Sequence, residues 1–464
     1  MMRIGIMVLL GLLYCWSSLG QHSVQDRYEL LQSYLTLEEE RLSFSGVCLI
    51  AKSGEIQYHR AFGQASKELN ARLEVDHRFR IASISKSFTA QLIGIAVDEG
   101  KLKLQDQITT YLPEFKGETW DQITIQQLLT HTSGIPHHKG MENYWTIQSR
   151  LTLSTSSILQ AIRKMELQFE PGTNFFYSSP GYFLLATILE KVYDISFPQL
   201  WDEKIGQPLS LVNSGFDDNL AIIPQLTKGY HLMPDNQLIS APYRDFSTLK
   251  GGGDMYSSAS DLLRWNQYIL QKRKEPGFIA EAVRPKNGFM AKRHEAAQYG
   301  YGWFIRAAQE RHPLTYFHGG GTFGCSAVSA VYPEEELSIV ILSNVSGLPI
   351  DMIWQNVERI VLGLPFELPE VPPSEAFSSQ PLEHYIGNFV SGKGGQRLRV
   401  FIHDEQLFAQ LQGRPPFLLS PTRTHQFYGS KVDISFTFQV EAENRIVGLK
   451  AEGRGRTFSF EKAD

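Results

Sequence analysis

FRIASISKSFT, residues Phe79 to Thr89, is the stretch of this sequence from which the fold can be worked out. It holds Ser83 and Lys86 in the pattern Ser-x-x-Lys, at the start of an apolar periodicity that ends at Gly100. A spacing of three residues places two side chains on one face of a helix, and the first turn leaves its N–H groups unbonded. We therefore expect a helix from about Ser83 to Gly100, with a hydroxyl and an amine side by side at its start.

This tetrapeptide also has an ordinary explanation. A serine often caps a helix, and a lysine one turn later is usually solvated. The same pattern recurs at Ser247 and Lys250, where the chain runs into three glycines instead of an apolar periodicity. The helix that follows Ser83 is therefore what distinguishes the first match from the second.

Outward from this helix, the patterns predict a mixed α/β fold of the α+β kind. Strands are expected at both ends of the region, with helices and irregular loops over residues 101–300 between them and a helix at each terminus. This order indicates one antiparallel sheet flanked by helices, with a helical insert and a cleft where insert meets sheet. The predicted strands are 44–51, 56–62, 301–306, 324–332 and 337–343, and the predicted helices include 24–41, 181–192, 260–270 and 350–362.

A second, smaller domain is predicted at the C-terminus. Five prolines between residues 364 and 381 interrupt any regular element, so residues 365–380 are interpreted as a linker. Residues 381–464 alternate in polarity between turn residues, which indicates a small all-β barrel of the lipocalin-like kind. Residues 21–364 would then form the first domain.

Residues 1–20 resemble an export signal. Arg3 supplies a positive start, residues 4–13 are apolar, and Ser18 to Gly20 offer small residues for cleavage before Gln21. A membrane anchor fits less well, because a spanning helix needs about 20 apolar residues. Lipoprotein processing at Cys15 is the minor alternative. The sequence therefore predicts an exported protein, periplasmic or secreted, with no stable membrane span.

Composition excludes several other classes of function. The 464 residues exceed one compact core, and 42% hydrophobic with 20% charged residues is typical of a soluble globular chain. A net charge of -5 leaves no basic surplus for nucleic acid. Cys48 and Cys325 remain after export and are expected to be separate buried thiols, although an oxidising compartment would allow them to pair.

Metal and cofactor binding are not predicted either. His131, His137 and His138 crowd one loop, but no set of residues has metal-ligand spacing, so we interpret the loop as polar. The expected partner is a small-molecule or peptide substrate, and the sequence leaves the oligomeric state open.

Five segments together resemble the serine β-lactamase and penicillin-binding-protein-like superfamily. They follow the order seen in its class C β-lactamase and D-alanyl-D-alanine carboxypeptidase/esterase branch, over about residues 45–345. The segments are FRIASISKSFT at 79–89, LLTHTSGI at 128–135, EPGTNFFYSSPGYFLL at 170–185, GGGDMYSSASDLLRW at 251–265 and HGGG at 318–321. The resemblance implies that Ser83 is an acylated nucleophile and that Lys86 handles its proton.

The resemblance also assigns residues around Ser83. The tyrosine of the family's Y-x-N motif corresponds to Tyr177, marked by the Glu-Pro-Gly turn before it and the helix after it; Tyr256 repeats the letters without that context. His318 corresponds to the first residue of the K-T-G motif. The N–H groups of Ser83 and Gly321 would form the oxyanion hole, and glycine at Gly319 and Gly320 would let substrate approach the backbone.

Two departures from the family pattern concern substrate recognition. His318 replaces a lysine, and imidazole carries only a partial charge near neutral pH. Ser179 replaces an asparagine, which removes a two-donor amide from the predicted substrate-binding group. Both changes remove features that penicillins and D-Ala-D-Ala peptides exploit, so they favour an esterase, or a peptidase with another specificity, over a dedicated β-lactamase.

The predicted reaction is acyl transfer from an ester, amide or lactam to Ser83, followed by hydrolysis, with no cofactor. Either Tyr177 or Lys86 can be the formal base, since coupled groups share their titration. The alternatives are a D-amino-acid peptidase, a β-lactamase, and a non-catalytic penicillin-binding or sensor protein.

Overall fold

The structure is a computed structural model that describes residues 24–117, 119–138, 141–286, 288, 297–310, 312–369, 380–392, 395–453 and 456–463. The predicted export signal, residues 1–20, lies outside the described residues, as does most of the predicted linker. The predicted domain limits therefore stay predictions.

Helices and strands follow the chain in the order that the patterns predict. The helices are α1 Val24–Leu42, α2 Ser85–Asp98, α3 Ile125–Leu129, α4 Thr155–Arg163, α5 Ser179–Tyr193, α6 Phe197–Trp201, α7 Ala259–Lys272, α8 Phe278–Ala282 and α9 Ile350–Leu362. The first strands are β1 Gly46–Lys52, β2 Glu55–Phe62, β3 Gln64–Ser66, β4 Ala71–Arg72, β5 Phe79–Arg80, β6 Gly215–Phe216, β7 Tyr230–Leu232, β8 Leu238–Ser240, β9 Met255–Ser257, β10 Ala297–Tyr299, β11 Phe304–Arg306, β12 Thr315–Thr322, β13 Cys325–Tyr332, β14 Leu337–Ser343 and β15 Val345–Ser346. The C-terminal strands are β16 Gly387–Ser391, β17 Arg397–His403, β18 Gln406–Leu411, β19 Phe417–Leu418, β20 Ser420–Arg423, β21 Gln426–Gly429, β22 Ile434–Val440, β23 Ile446–Gly453 and β24 Arg456–Ala463.

The central sheet is antiparallel, as predicted. In the described part of the chain its strand order is β10-β11-β12-β13-β14-β1-β2, so the first and last strands of the region meet in the middle. Gly46 to Lys52 of β1 pair with Ser343 to Leu337 of β14. The N-terminal hairpin and the late strands therefore form one layer, although more than 200 residues separate them.

One predicted strand, 301–306, is wrong in its bounds. The chain forms two short strands, β10 and β11, and turns between them at Gly302, whose φ is +75°. A side chain at Gly302 would bring its Cβ within 2.8 Å of the carbonyl oxygen of Lys86. The turn is therefore set by close packing against α2, which the local apolar pattern does not show.

Helices cover both faces of the central sheet. On β1, Val47 and Leu49 face one core, which includes residues of α2, α5 and α7. Cys48 and Ile50 face a second core, built with α1 and α9. Strand side chains alternate between faces, so the continuous apolar run of β1 fills both cores. The helices α3 to α8 lie between β2 and β10 in the sequence, which confirms the helical insert.

The C-terminal region forms a nearly closed barrel, as predicted. Its sheet has the strand order β19-β18-β17-β16-β24-β23-β22-β21-β20 within the described residues. The two strands at the ends of this order, β19 and β20, are nearly consecutive in the chain, so the sheet curves back on itself. Tyr385, Phe427 and Phe438 are buried in a core of its own.

The barrel rests on the first region through polar contacts. Lys431 Nζ donates hydrogen bonds to the carbonyl oxygens of Leu232 (3.1 Å) and Met233 (2.7 Å). Arg41 of α1 forms an ion pair with Asp433 at 3.2 Å. These contacts tie the barrel to the β7–β8 hairpin and to the end of α1.

Two further predictions concern cysteines and membrane spans. Cys48 and Cys325 are both buried and free, as expected, and burial raises the pKa of both thiols. Among the described helices, none has the length and apolar character needed to cross a bilayer.

Candidate active site

Ser83 lies on a strained turn just before α2. The helix starts at Ser85, because Ala82 to Ile84 form a single 3₁₀ turn where the sequence predicts the first α-helical turn. Ala82 has φ +44°, a left-handed conformation that costs a residue with a Cβ about 1–2 kcal/mol. The hydroxyl of Ser85 donates to the carbonyl of Ala82 at 2.6 Å and holds this turn. Ser83 is left half-buried between buried neighbours, within reach of a ligand.

Lys86 is completely buried and points at Ser83. Its Nζ donates to the hydroxyl oxygens of Ser83 and Ser179, both at 3.2 Å, and to the carbonyl oxygen of Gly252 at 2.6 Å. Three acceptors satisfy the three donors of an ammonium group. The solvated lysine of the ordinary explanation is therefore excluded, and Ser179, predicted to bind substrate, contacts Lys86.

The surroundings of Lys86 favour its neutral form. Burial lowers the pKa of Lys86 to about 7, and the nearby Asp254 opposes this shift only in part. No carboxylate lies within ion-pair distance of Lys86 Nζ in the described residues. Burial also raises the pKa of Asp254 to about 7. A lysine with such a pKa is unprotonated in a large fraction of molecules near neutral pH.

Tyr177 completes a group of three side chains. It directly precedes Ser178, whose side chain caps α5 by accepting a hydrogen bond from the N–H of Gly181 at 3.2 Å. Lys86 Nζ lies 4.9 Å from the centroid of the Tyr177 ring. The structure thus brings Ser83, Lys86 and Tyr177 together from two helix starts that are more than 90 residues apart.

His131 belongs to the site, although the sequence analysis assigns it to a polar loop. Its ring lies 4.3 Å from the ring of Tyr177, and its Nδ1 accepts a hydrogen bond from the N–H of Ser178 at 3.1 Å. Burial, with Lys86 nearby, lowers the pKa of His131 well below its usual value. A neutral His131 therefore fixes the turn that presents Tyr177. The sequence feature that could have identified His131 as a site residue is its position in the LLTHTSGI segment.

The segment from Gly251 to Trp265 contributes directly to the surroundings of Lys86. It supplies the Gly252 carbonyl to Lys86 and places the buried Asp254 nearby. The carboxylate of Asp254 accepts a hydrogen bond from the N–H of Gly251 at 3.1 Å, which closes this turn. The sequence alone does not distinguish Asp254, which is buried, from acidic residues at the surface.

Strand β12 carries the glycines across the cleft from Ser83. Its neighbour β11 pairs only with Thr315 to Phe317, so that edge of β12 is uncovered from His318 onward. At Gly320 a Cβ would lie 2.1 Å from the carbonyl oxygen of Ile81. At Gly321 it would meet nothing within 4 Å. Gly320 therefore permits the contact of β12 with the Ser83 turn, and Gly321 faces the open cleft.

The imidazole of His318 contacts groups of the protein itself. Its Nε2 lies 3.0 Å from the hydroxyl of Tyr299, and its Nδ1 lies 2.7 Å from the carbonyl oxygen of Gly319. The ring is buried, 6.2 Å from that of Tyr177. A catalytic role for His318 stays a prediction, and its position suits support of β12.

Other sequence candidates lie apart from this group. Ser247 donates to the carbonyl of Leu151, and Lys250 forms an ion pair with Glu190 at 2.5 Å. Tyr256 lies on β9, paired with β5 and β6. The described residues contain no group of His, Cys, Asp or Glu able to hold a metal ion.

Comparisons with known proteins identify the family of the chain. The Beta-lactamase family model matches residues 36–355. Penicillin-binding protein 4* of Bacillus subtilis (strain 168) is 27% identical over 451 residues, which cover 91% of this chain and 96% of the relative.

Two solved structures show the same fold. The octameric penicillin-binding protein homologue from Pyrococcus abyssi superposes with a TM-score of 0.64 and 23% identity, covering 94% of this chain and 100% of its own. D-amino acid amidase from Ochrobactrum anthropi SV3 has a TM-score of 0.64 and 20% identity, covering 73% of this chain and 99% of its own. With the family model matching well over half of the sequence, the chain belongs to the Beta-lactamase family.

Proposed function

We propose that this protein is a serine hydrolase that forms an acyl-enzyme at Ser83 with ester or amide substrates. The observation that carries the proposal is the contact of Lys86 Nζ with Ser83 Oγ at 3.2 Å, in a site where burial lowers the pKa of Lys86 to about 7. A neutral amine at hydrogen-bond distance from a hydroxyl is a competent general base. Membership of the Beta-lactamase family supports the same reaction class.

The first half of the reaction acylates Ser83. Neutral Lys86 accepts the hydroxyl proton while Ser83 Oγ bonds to the substrate carbonyl carbon, which leaves a tetrahedral intermediate with a negatively charged oxygen. The N–H groups of Ser83 and Gly321 are the proposed donors to this oxygen, a type of contact whose loss costs about a hundredfold or more in rate. The intermediate expels the alcohol or amine, which takes the proton back from Lys86.

The second half regenerates the enzyme. A water molecule gives a proton to Lys86 and attacks the acyl carbon, and Ser83 Oγ leaves with that proton. Tyr177 lies against Lys86 and is proposed to stabilise the charge that forms on the amine, since a cation over an aromatic face is favourable. The contact of Lys86 Nζ with Ser83 Oγ supports Lys86 as the formal base.

The hydrogen-bond contacts of His318 favour some classes of substrate over others. Both ring nitrogens contact groups within the protein, so the imidazole is not presented to a substrate carboxylate from this position. This supports an esterase or peptidase activity over that of a dedicated β-lactamase. A D-amino acid amidase with the same fold supports amides among the substrates.

Covalent labelling tests the proposal. A fluorophosphonate probe, or a fluorescent penicillin, should label the wild type and Ser247→Ala equally and leave Ser83→Ala unlabelled. Ser247 is the matched control because it has the same sequence pattern. The adduct mass, mapped to a peptide, should fall on the segment that contains Ser83. Labelling that survives Ser83→Ala would overturn the assignment.

The rates of turnover of different substrates then distinguish esterase, peptidase and β-lactamase activity. A chromogenic cephalosporin, short-chain nitrophenyl esters and D-Ala-D-Ala peptides should be assayed in parallel, and we expect the esters or peptides to be hydrolysed faster than the cephalosporin. Stable labelling of Ser83 without turnover of any of them would instead identify a penicillin-binding sensor.

We also propose that the chain is exported, on the strength of its first 20 residues. The mature protein should begin at Gln21, which N-terminal sequencing of protein from the native host would show. Retention of residues 1–20 would contradict export.

A further inference from the structure

A cavity of about 590 Å³ is lined in part by Arg80, three residues before Ser83, and by Phe323, two residues after Gly321. Three of the side chains that line it are cationic: Arg80, Lys228 and Arg244. No Asp or Glu is among its described lining residues. A concave site lined by one sign of charge concentrates ligands of the opposite sign.

Arg244 is the buried cation of this cavity. The residue is only 6% exposed, and its guanidinium packs over the rings of Tyr144, Trp145 and Phe323 at 5.3 to 5.5 Å. One terminal nitrogen donates to the hydroxyl of Tyr144. The Nε atom is buried with no hydrogen-bond partner among the described residues.

Two acids close in sequence or in space to lining residues, Asp245 and Asp217, already have partners. Asp245 accepts hydrogen bonds from the hydroxyl of Thr152 and the N–H of Ser247. Asp217 forms an ion pair with Arg80 at 2.7 Å. Burial lowers the pKa of Arg244, and no carboxylate opposes that shift. A buried cation is costly unless it is paired, and no salt-bridge partner of Arg244 is found among the described residues.

Arg244 lies between the two sides of the proposed cleft. Its aromatic neighbour Phe323 follows Gly321 by two residues on the turn after β12. Its other neighbour Tyr144 stacks on His138, with ring centroids 4.3 Å apart, and His138 adjoins His137, whose ring is 5.8 Å from Tyr177. A ligand group held at Arg244 would therefore lie beside the acylation site and away from the scissile bond.

Two of the exposed side chains that line the cavity are aliphatic or aromatic. Leu69 is 80% exposed and Tyr243 is 55% exposed, and both line it. Exposed apolar side chains around a buried cation suit a ligand with a hydrocarbon part and one anionic end.

We propose that this cavity binds a carboxylate of the substrate, held by Arg244 at a distance from the reacting carbonyl. The inference rests on the proposed hydrolase function and adds to it a substrate class: esters or amides that bear a remote carboxylate. The planar guanidinium matches a carboxylate with two parallel hydrogen bonds, and the free Nε–H supplies one of them.

Matched esters test the proposal. One series has the carboxylate on the acyl side: mono-p-nitrophenyl esters of dicarboxylic acids from glutarate to suberate, each paired with the monocarboxylic ester of equal chain length. A second pair has it on the leaving group: 4-acetoxyphenylacetate and its methyl ester. In the wild type, kcat/KM should favour at least one acid over its neutral partner.

Arg244→Gln should remove this preference, with a loss of about tenfold to a hundredfold for the acid, as expected for a charged hydrogen bond, and little change for the neutral ester. Arg445→Gln, which removes an exposed arginine of the barrel, should leave the preference intact. Equal losses for acid and neutral esters in Arg244→Gln would show a structural role. Equal rates for every pair in the wild type would also overturn the proposal.

Equilibrium binding separates this proposal from the proposed chemistry. Calorimetric titration of Ser83→Ala with the intact adipate monoester should give a Kd that Arg244→Gln raises at least tenfold. This measurement needs no turnover, so it stands even if Ser83 proves not to be acylated. A Kd that is the same with and without Arg244 would refute the subsite.

Discussion

The two Ser-x-x-Lys segments of this chain share a pattern and differ in almost everything that matters for chemistry. Ser83 and Lys86 straddle the start of a 14-residue helix, and the lysine turns inward to three oxygen acceptors. Ser247 lies in a single 3₁₀ turn, and Lys250 leaves that turn with φ -43° and ψ 125° to pair with Glu190. The three-residue spacing brings the serine and lysine side chains together only in the first segment, where the helix continues.

The comparison also shows what makes a lysine a base. Lys250 is partly exposed and has a carboxylate partner in Glu190. Lys86 is buried, and uncharged oxygens accept its hydrogen bonds. The difference between the two segments therefore lies in the solvation of the amine.

The largest effect should come from removing each amine in turn. Lys86→Met is expected to lower kcat/KM for a nitrophenyl ester by about a thousandfold or more, because the general base is lost. Lys250→Met should stay within a few-fold of the wild type. Burst-phase kinetics would show whether acylation is the step affected. Similar losses in the two variants would remove the distinction between the segments.

The second prediction concerns a substitution on β12, the strand that faces Ser83. Gly320→Ala is expected to lower stability by about 1–3 kcal/mol, because its Cβ would lie 2.1 Å from the carbonyl oxygen of Ile81 and push β12 from the Ser83 turn. Activity should fall by about a hundredfold as the oxyanion donors separate. Gly319→Ala is the control for the unfolding measurement, since its nearest contact would be 3.8 Å away. Urea unfolding and ester hydrolysis measure the two effects.

The next prediction, smaller in size, concerns the pH dependence of kcat/KM. If neutral Lys86 is the base, kcat/KM should rise with pH through an apparent pKa of about 7. Asp254 raises the pKa of Lys86, so Asp254→Asn should move this rise to lower pH. Glu190→Gln, beside Lys250, should leave the profile in place. A shift to higher pH in Asp254→Asn would contradict the electrostatic assignment.

The smallest effect is expected at the second segment itself. Glu190→Gln breaks the ion pair with Lys250, which is partly exposed on both sides. Such pairs contribute about 0–1 kcal/mol, so the free energy of unfolding should fall by no more than that. A loss well above this range would mean that the second segment is a structural anchor.

Much of the fold follows from local pattern. The helix Ile350–Leu362 and the strand Leu337–Ser343 match their predicted bounds, because a single apolar period runs through each. The failures have tertiary causes. Gly302 turns the chain where it packs on α2, and the strained Ala82 delays the start of that helix.

The residues of the site also fall into two groups: those that the sequence indicates and those that only the tertiary structure reveals. Ser83, Lys86 and Tyr177 lie in segments whose order resembles a known family, so their meeting could be expected. Asp254 and His131 also lie in these segments, but the segments do not show their roles, and Arg244 lies outside them. Their significance comes from burial among particular neighbours, and burial of a charged group depends on how distant segments pack.

The most direct test of the central claim is the titration of Lys86 itself. Reductive methylation with ¹³C and NMR detection would follow each lysine as pH changes, with assignment by Lys86→Met and, for the second shifted lysine, Lys431→Met. The account predicts a resonance with a midpoint near the value of about 7 for Lys86, absent in Lys86→Met, beside one near 8 for Lys431. A Lys86 midpoint close to the ordinary lysine value of about 10.4 would contradict it.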